Sequence, residues 1–327
     1  MRKLYPLKFN PIYKEKIWGG KKLHSILNKN VEDIKKCGES WEISGVQKNL
    51  SIVSNGYLAG NNLEELIEIY MGDLVGDKVF KKFEIEFPLL IKYIDANDVL
   101  SIQVHPDDKL AKKRHNGYGK TEMWYIIQAD KKSEIITGFR KKVNKSTYLD
   151  HLNNKSLADI LNFEQANESD VFFIPSGRVH AIGKGILLAE IQQTSDITYR
   201  IYDWDREDDR GKNRELHTEL ALDAIDYCFY DNYKTNYNEM LNETSLLIHC
   251  DYFITNLLHF DQPIKKDYDF LDSFVIYMVL QGEFRINFNN DSAHVKLGES
   301  VLLPASLEKI TLHPFEESKI LEVYIGT

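Results

Sequence analysis

The chain is poor in cysteine. It has three in 327 residues, and Cys37, Cys228 and Cys250 sit far apart in no metal or redox spacing. That argues against a disulfide framework or a thiolate metal cluster. It leaves small core or incidental thiols, in keeping with a reducing compartment. Positive charge is not in excess either. The formal net charge is -9 and the pI is near 5.6, which argues against a nucleic-acid binder while leaving room for a local basic pocket. Long apolar runs are missing: Phe274 to Leu280 is of strand length and too short to span a bilayer. Basic residues in the first eight positions are followed by no apolar segment, which speaks against a secretory signal. No stretch is of low complexity. We therefore expect a cytoplasmic protein with no membrane and no nucleic-acid partner. Its length suffices for two fused halves and a sizeable core.

What the chain does have is many short strand-like runs. Glu39–Ser44 alternates, and Phe83 to Val104 reads as strands, as do Met123–Ala129, Glu134–Phe139 and most of Asp170 to Tyr202. Ile17-Trp18-Gly19-Gly20 reads as a turn closing on an aromatic. Helical spacing predicts helices over Asn61–Leu74, with an Asn as N-cap, over Tyr148–Phe163 and over Arg214–Tyr227. Tyr230 to Glu243 is polar and reads as a linker. The sum is a mainly β protein of sandwich or barrel units with a small number of helical decorations. We place the division at residues 1–229 and 230–327.

The stretch Ser101 to Asp108 carries the most chemistry. Residues two apart in a strand share a face, so Gln103 and His105 present an amide and an imidazole to one side, with Ser101 beside them. Glu122 and His180 are the next candidates. An amide, two imidazoles and a carboxylate can hold one divalent metal and leave room for water or substrate. Asp107 and Asp108 suit either of two tasks, orienting His105 or capping a helix over Lys109–Arg114. An internal repeat supports the ligand set. Ser169–Pro175 resembles Gly298–Pro304, and His180, five residues after Pro175, is matched by Lys309. Aligning Gln128 with Gln281 puts Val275 opposite Glu122. The second copy thus loses both candidate ligands together.

Ser169-x5-Pro175-x-Gly177-x2-His180 is similar to the second half of the cupin signature, with Ser at its first Gly. Leu100–Asp108, Gly119–Tyr125, Phe173–Ile182 and Ala189–Asp205 resemble the type I mannose-6-phosphate isomerase family, as do Trp18-Gly19-Gly20 and Glu39–Glu42. The resemblance covers nearly the whole chain except 230–270. It implies two cupin-type jelly-roll β-barrels, the second lacking metal ligands. It also implies one divalent ion per chain, zinc first, held by Gln103, His105, Glu122 and His180. The implied reaction interconverts mannose 6-phosphate and fructose 6-phosphate, in a monomer or weak homodimer.

Three neutral ligands and one carboxylate would leave such a site at +1 and the metal electrophilic, and ligand softness admits Zn, Co, Mn or Fe. Arg200, between Tyr199 and Ile201, reads from sequence alone as a sheet-rim ion pair. The resemblance makes it an active-site arginine that stabilises an enediolate or holds an anionic group. Asp196, four residues earlier, would share its strand face, and the resemblance implicates it in the site. Asp196, a water on the metal and a ligating histidine all stand as candidate bases. Lys120 would share the face of Glu122, for phosphate contact or proton relay. Ser101 is a plausible phosphate-side hydroxyl. Trp18, Trp41 and Trp124 read as core. Gln at the first ligand position disfavours an iron dioxygenase, and the full ligand set together with Arg200 disfavours a non-catalytic sugar-binding cupin.

Overall fold

The structure is a computed structural model that describes residues 3–31, 33–207 and 211–326. Four antiparallel sheets stack in layers. An outer sheet of five strands faces an inner sheet of seven. That sheet packs back to back on a second inner sheet of six, which faces an outer sheet of four. Alternation builds this order. In the strand Glu122–Ala129, Glu122, Trp124 and Ile126 point into the first sandwich, while Met123 and Tyr125 point into the interface between the halves. In Ile186–Gln193, Leu188 and Glu190 take the first side, and Leu187, Ala189 and Ile191 the second. The fold is thus mainly β and of cupin type, two facing-sheet units with helical decorations.

Helices fill the remaining edges. Leu63–Tyr70 buries Leu63, Leu66 and Ile67 in the interface between the halves. It is opened by Asn62, whose side chain accepts from Glu65 N while Glu65 reaches back to Asn62 N. The helix Lys145–Asn153 covers the outside of the five-stranded sheet through Tyr148. Two short strands extend the inner sheets. Leu7–Lys8 pairs with Val301–Leu302, and Lys234–Thr235 pairs with Val171–Phe172.

Several local expectations need correction. Ile17–Gly20 ends a strand, Ile12–Gly20, rather than forming a turn. Gly20 is needed there because a Cβ would lie 2.5 Å from the Asp95 carboxylate. Phe83 closes a helix, Asp77–Phe83, and the strands that follow are Leu89–Ala96 and Ile102–Val104. The Tyr148–Phe163 segment is α-helical only to Asn153, with one further 3₁₀ turn at Leu157–Asp159, and Leu161–Gln165 is a strand paired with Glu134–Phe139. The expected Arg214–Tyr227 helix shrinks to Thr218–Leu222. Arg214 is held away by two hydrogen bonds to Asp203, and Asp226 N is taken by Gly177 O. The polar 230–243 stretch is not loose. The Tyr233 hydroxyl donates to Phe139 O at 2.8 Å and that of Tyr237 to Ser169 O at 2.9 Å. Tyrosines can bury a ring while satisfying a polar tip, which polarity counts miss.

Candidate metal centre

Three adjacent strands of the outer sheet place the first group of residues. Gln103, on Ile102–Val104, is in register with His180, on His180–Ile182, and with Arg200, on Tyr199–Tyr202. Cross-strand partners share a face, so an arginine, an amide and an imidazole form one row. The neighbours Val104, Val179, Ala181, Tyr199 and Ile201 turn to the other face and its apolar cluster, which fixes the row inward. His105 follows directly, its backbone oxygen accepting from Gly177 N. From the facing sheet comes Glu122, paired with Ile174 and Gln192.

The side chains converge. His180 Nε2 lies 3.3 Å from Glu122 Oε1 and His105 Nε2 lies 3.5 Å from Glu122 Oε2. Gln103 Nε2 lies 3.2 Å from His180 Nε2. Among the described residues His105, Glu122 and His180 are a buried trio whose ligand atoms all lie within 4.8 Å of one another. Both histidines use Nδ1 elsewhere: it donates to Ile197 O at 3.0 Å in His105 and to Arg178 O at 2.8 Å in His180. Both Nε2 lone pairs therefore face inward, the tautomer that metal ligation requires. Asp107 and Asp108 do not orient His105, since a backbone carbonyl does. Asp107 caps the helix Asp108–His115 instead.

Electrostatics point the same way. Burial, then the positive charge of Lys120, holds the His105 imidazole well below its usual range. Burial pushes His180 down to about 3. Burial also pushes the Glu122 carboxyl up to about 7, against the pull of Lys120. Neither Glu122 oxygen has a hydrogen-bond partner among the described residues. Lys120 Nζ makes only an ion-pair contact with it at 3.2 Å, and sits at the same distance from His105 Nε2. A fully buried carboxylate with empty lone pairs, facing two neutral imidazoles, fits a divalent cation. The Gln103 amide presents either its oxygen or its nitrogen by a simple flip.

The other expected residues are spread more widely. Lys120 and Ser101 are buried, each one or two residues before its strand begins. Arg200 is half-buried. Its Nη1 donates to Glu215 O at 2.8 Å while its Nε has no partner, and burial together with Arg214 and Arg206 lowers its pKa. Asp196 is exposed and precedes the strand at Tyr199, so it does not share a strand face with Arg200. Trp18, Trp41 and Trp124 are buried as expected.

Sequence reading missed the polar wall beside the trio. Lys92 Nζ contacts Glu190 Oε1 at 2.7 Å and Gln192 Oε1 at 2.6 Å, and Trp124 Nε1 donates to Glu190 at 2.8 Å. Burial raises the Glu190 pKa, but Lys92 and Lys120 outweigh it and bring it down to about 2. The signal was present, a charge inside each of two apolar runs, Leu89–Ile94 and Ile186–Ile191.

These features define a two-cupin protein with, among the described residues, a candidate metal centre in its first half. Residues 6–144 match the family description "Phosphomannose isomerase type I, catalytic domain", and residues 242–321 match "Mannose-6-phosphate isomerase, cupin domain". Mannose-6-phosphate isomerase ManA of Bacillus subtilis is 37% identical over 320 residues, which cover 95% of this chain and 97% of that protein. The mannose-6-phosphate isomerase of Streptococcus mutans is 34% identical over 295 residues, 90% of each chain. A crystal structure of the Bacillus subtilis mannose 6-phosphate isomerase superposes with a TM-score of 0.88 at 32% identity, covering 98% of this chain and 99% of that one. The chain belongs to the type I phosphomannose isomerase family.

Proposed function

We propose that this chain interconverts mannose 6-phosphate and fructose 6-phosphate through an enediol(ate), with one divalent ion, zinc first among candidates. Gln103, His105, Glu122 and His180 would hold the ion. The observation that carries this reading is the unpartnered Glu122 carboxylate opposite two inward Nε2 lone pairs. Once bound, the ion supplies Lewis-acid stabilisation of negative charge developing on the sugar oxygens.

The chain's own residues do the rest. Isomerisation removes a weakly acidic proton from the carbon beside a carbonyl, so its barrier is largely that of the developing charge. Arg200, in the same row as Gln103 and His180 and with an uncommitted Nε, meets that charge or the phosphate with a planar fork of donors. Lys120, between His105 and Glu122, serves phosphate contact or proton relay, and Ser101 adds a hydroxyl on the phosphate side. Asp196, outside the buried trio, stands as one candidate for proton exchange with the sugar, beside a water on the ion and a ligating histidine. Glu190 and Lys92 neutralise each other and keep the wall rigid. We further propose that the enzyme works in the cytoplasm as a monomer or weak homodimer, on a sugar phosphate alone. No helix among the described residues is long and apolar enough to cross a membrane.

The test is fructose 6-phosphate formation by chelator-stripped protein before and after single divalent metals are added back. Turnover that vanishes on stripping and returns with zinc or another metal supports the reading. Absence of turnover with every metal, in folded protein, ends it.

A further inference from the structure

We propose that Tyr252 and Asp108 form a strut by which the second half positions Lys120 and Glu122, making Tyr252 a positioning residue for the centre in the first half. This rests on the reading of that centre as a metal site.

Tyr252 sits in the turn joining the strands Glu243–His249 and Ile254–Phe260 of the second half. Its hydroxyl crosses the interface and donates to Asp108 Oδ2 at 2.9 Å. The other oxygen of that carboxylate is fully used on the first half. Asp108 Oδ1 accepts from Gly119 N at 2.8 Å and from Gln193 Nε2 at 2.9 Å. Gln193 in turn accepts from Thr121 N through Oε1 at 2.8 Å, and its own backbone N donates to Thr121 O at 3.1 Å. Both fastened residues, Gly119 and Thr121, flank Lys120, and Thr121 leads directly into Glu122. The segment is drawn so close that a Cβ on Gly119 would lie 2.6 Å from Asp108 N. Only glycine permits that approach.

Joining the halves does not need this contact. Leu187, Ile191, Leu257, Ile276 and Leu321 already form one apolar cluster between the two inner sheets. What the strut adds is direction. Lys120 and Glu122 stand where the chain enters the strand Glu122–Ala129, and a strand end is held only by what fastens it. Partners that orient ligands from behind typically account for about 10–100-fold in metal affinity or activity.

The experiment uses full-length Tyr252→Phe, which removes one oxygen and keeps the ring. Zinc affinity is measured by competition with a chelator, and kcat and KM with mannose 6-phosphate. The expected result is zinc binding weakened about tenfold and kcat lowered by a similar factor with KM little changed. Asp108→Ala removes the Tyr252 link together with the bonds to Gly119 and Gln193, so adding Tyr252→Phe to it should cost nothing further. A Tyr252→Phe protein with unaltered zinc affinity and kcat overturns the strut, whatever its melting temperature does. A wild type inactive on mannose 6-phosphate, whose zinc affinity still falls in Tyr252→Phe, retires the substrate assignment and keeps the strut.

Discussion

In the first half the strand Glu122–Ala129 lies between Val171–Ile174 and Ile186–Gln193. In the second, Val275–Gln281 lies between Ser300–Leu303 and Ser318–Tyr324. The registers coincide. Glu122 pairs with Ile174 as Val275 pairs with Leu303, and Trp124 faces Glu190 as Tyr277 faces Glu322. Glu190 pairs with Lys92, and Glu322 with Asn256. The outer sheets match in the same way, and the inward pair His180–Gln103 falls where Ile310 pairs with Lys266. The buried glutamate on the wall is thus retained in both halves, while the places of Glu122, His180 and Gln103 are taken by Val275, Ile310 and Lys266. In the second half Lys266 supplies the cation itself, 2.7 Å from Glu322, which also accepts from Tyr268 and Asn256. Among the described residues Glu122 has no hydrogen-bond partner beyond its ion-pair contact with Lys120, whereas Glu322 is fully engaged, so the place in the first sandwich is the one that suits an ion. The first half also has an additional strand, Tyr199–Tyr202, on the edge where Ile264–Asp267 ends the second outer sheet, and that strand brings Arg200.

The largest way to break this contrast is to mutate the matched pair. Glu122→Gln should weaken zinc at least about 100-fold, beyond the usual cost of an outer partner, and lower turnover at least about 10²–10³-fold. Val275→Ala should do neither, and cost about 1–3 kcal/mol through a core cavity. Chelator titration, turnover and urea unfolding separate the two. The metal-free proteins add a pH signature. A carboxyl raised to about 7 from its ordinary 4.5 stays protonated when folded and ionises when unfolded. Its stabilising contribution is therefore present below about 4.5 and lost as pH rises to about 7. Metal-free wild type should accordingly lose stability relative to Glu122→Gln across that window, by roughly 1–3 kcal/mol. A difference that is flat with pH would show that Glu122 is not strained by its burial.

Arg200→Ala comes next. It should lower kcat/KM by about 10²–10³-fold, the scale of one donor aimed at developing charge, and leave zinc content at one ion per chain. Loss of zinc along with activity would make Arg200 part of the metal's support rather than a partner of the sugar. Glu322→Gln tests the opposite half. It removes the charge opposite a Lys266 that is mostly buried while leaving an amide oxygen to accept from it, and should cost about 2–3 kcal/mol, below the figure for a fully buried pair because Lys266 keeps some solvent. Turnover per folded molecule should not change. A fall in kcat would mean that the second half's wall reaches the chemistry by a route other than Tyr252.

What could be read from sequence divides along one physical line. A polar side chain inside an apolar strand has to face something polar, which singled out Gln103 and His105, whereas Arg200 read as a sheet-rim ion pair until the family resemblance assigned it to the site. Lys92 and Glu190 obey the same rule, but their meaning lies in a cross-strand pairing between residues 98 positions apart, and register is set by turns and packing rather than by either strand. The matching of Glu122 with Val275 succeeded because each sits one strand from a proline-ended run of the same length. The helix expected over Arg214–Tyr227 failed because Arg214 has its partner, Asp203, outside the segment. Asp196 was put on the face of Arg200 by counting in twos, which holds only within a strand, and the strand begins at Tyr199.

The smallest prediction concerns the other error of counting. Five residues after Pro304 is Lys309, which by sequence stands for His180. The structure turns it outward instead. Lys309 is exposed and pairs with Asp269 at 2.7 Å, while Ile310 takes the inward place. The connection from Pro304 to the inward residue is one longer than that from Pro175 to His180, and a one-residue slip exchanges the faces of a strand. Lys309→Ala should therefore leave thermal midpoint, zinc content and turnover unchanged, since an exposed ion pair is screened by water and salt. Ile310→Ala, one position on, should lower the midpoint by several degrees, because it empties a buried place. If Lys309→Ala were the costlier of the two, the face assignment would be reversed. The second half would then hold an ammonium where the first holds an imidazole, as the sequence count suggests.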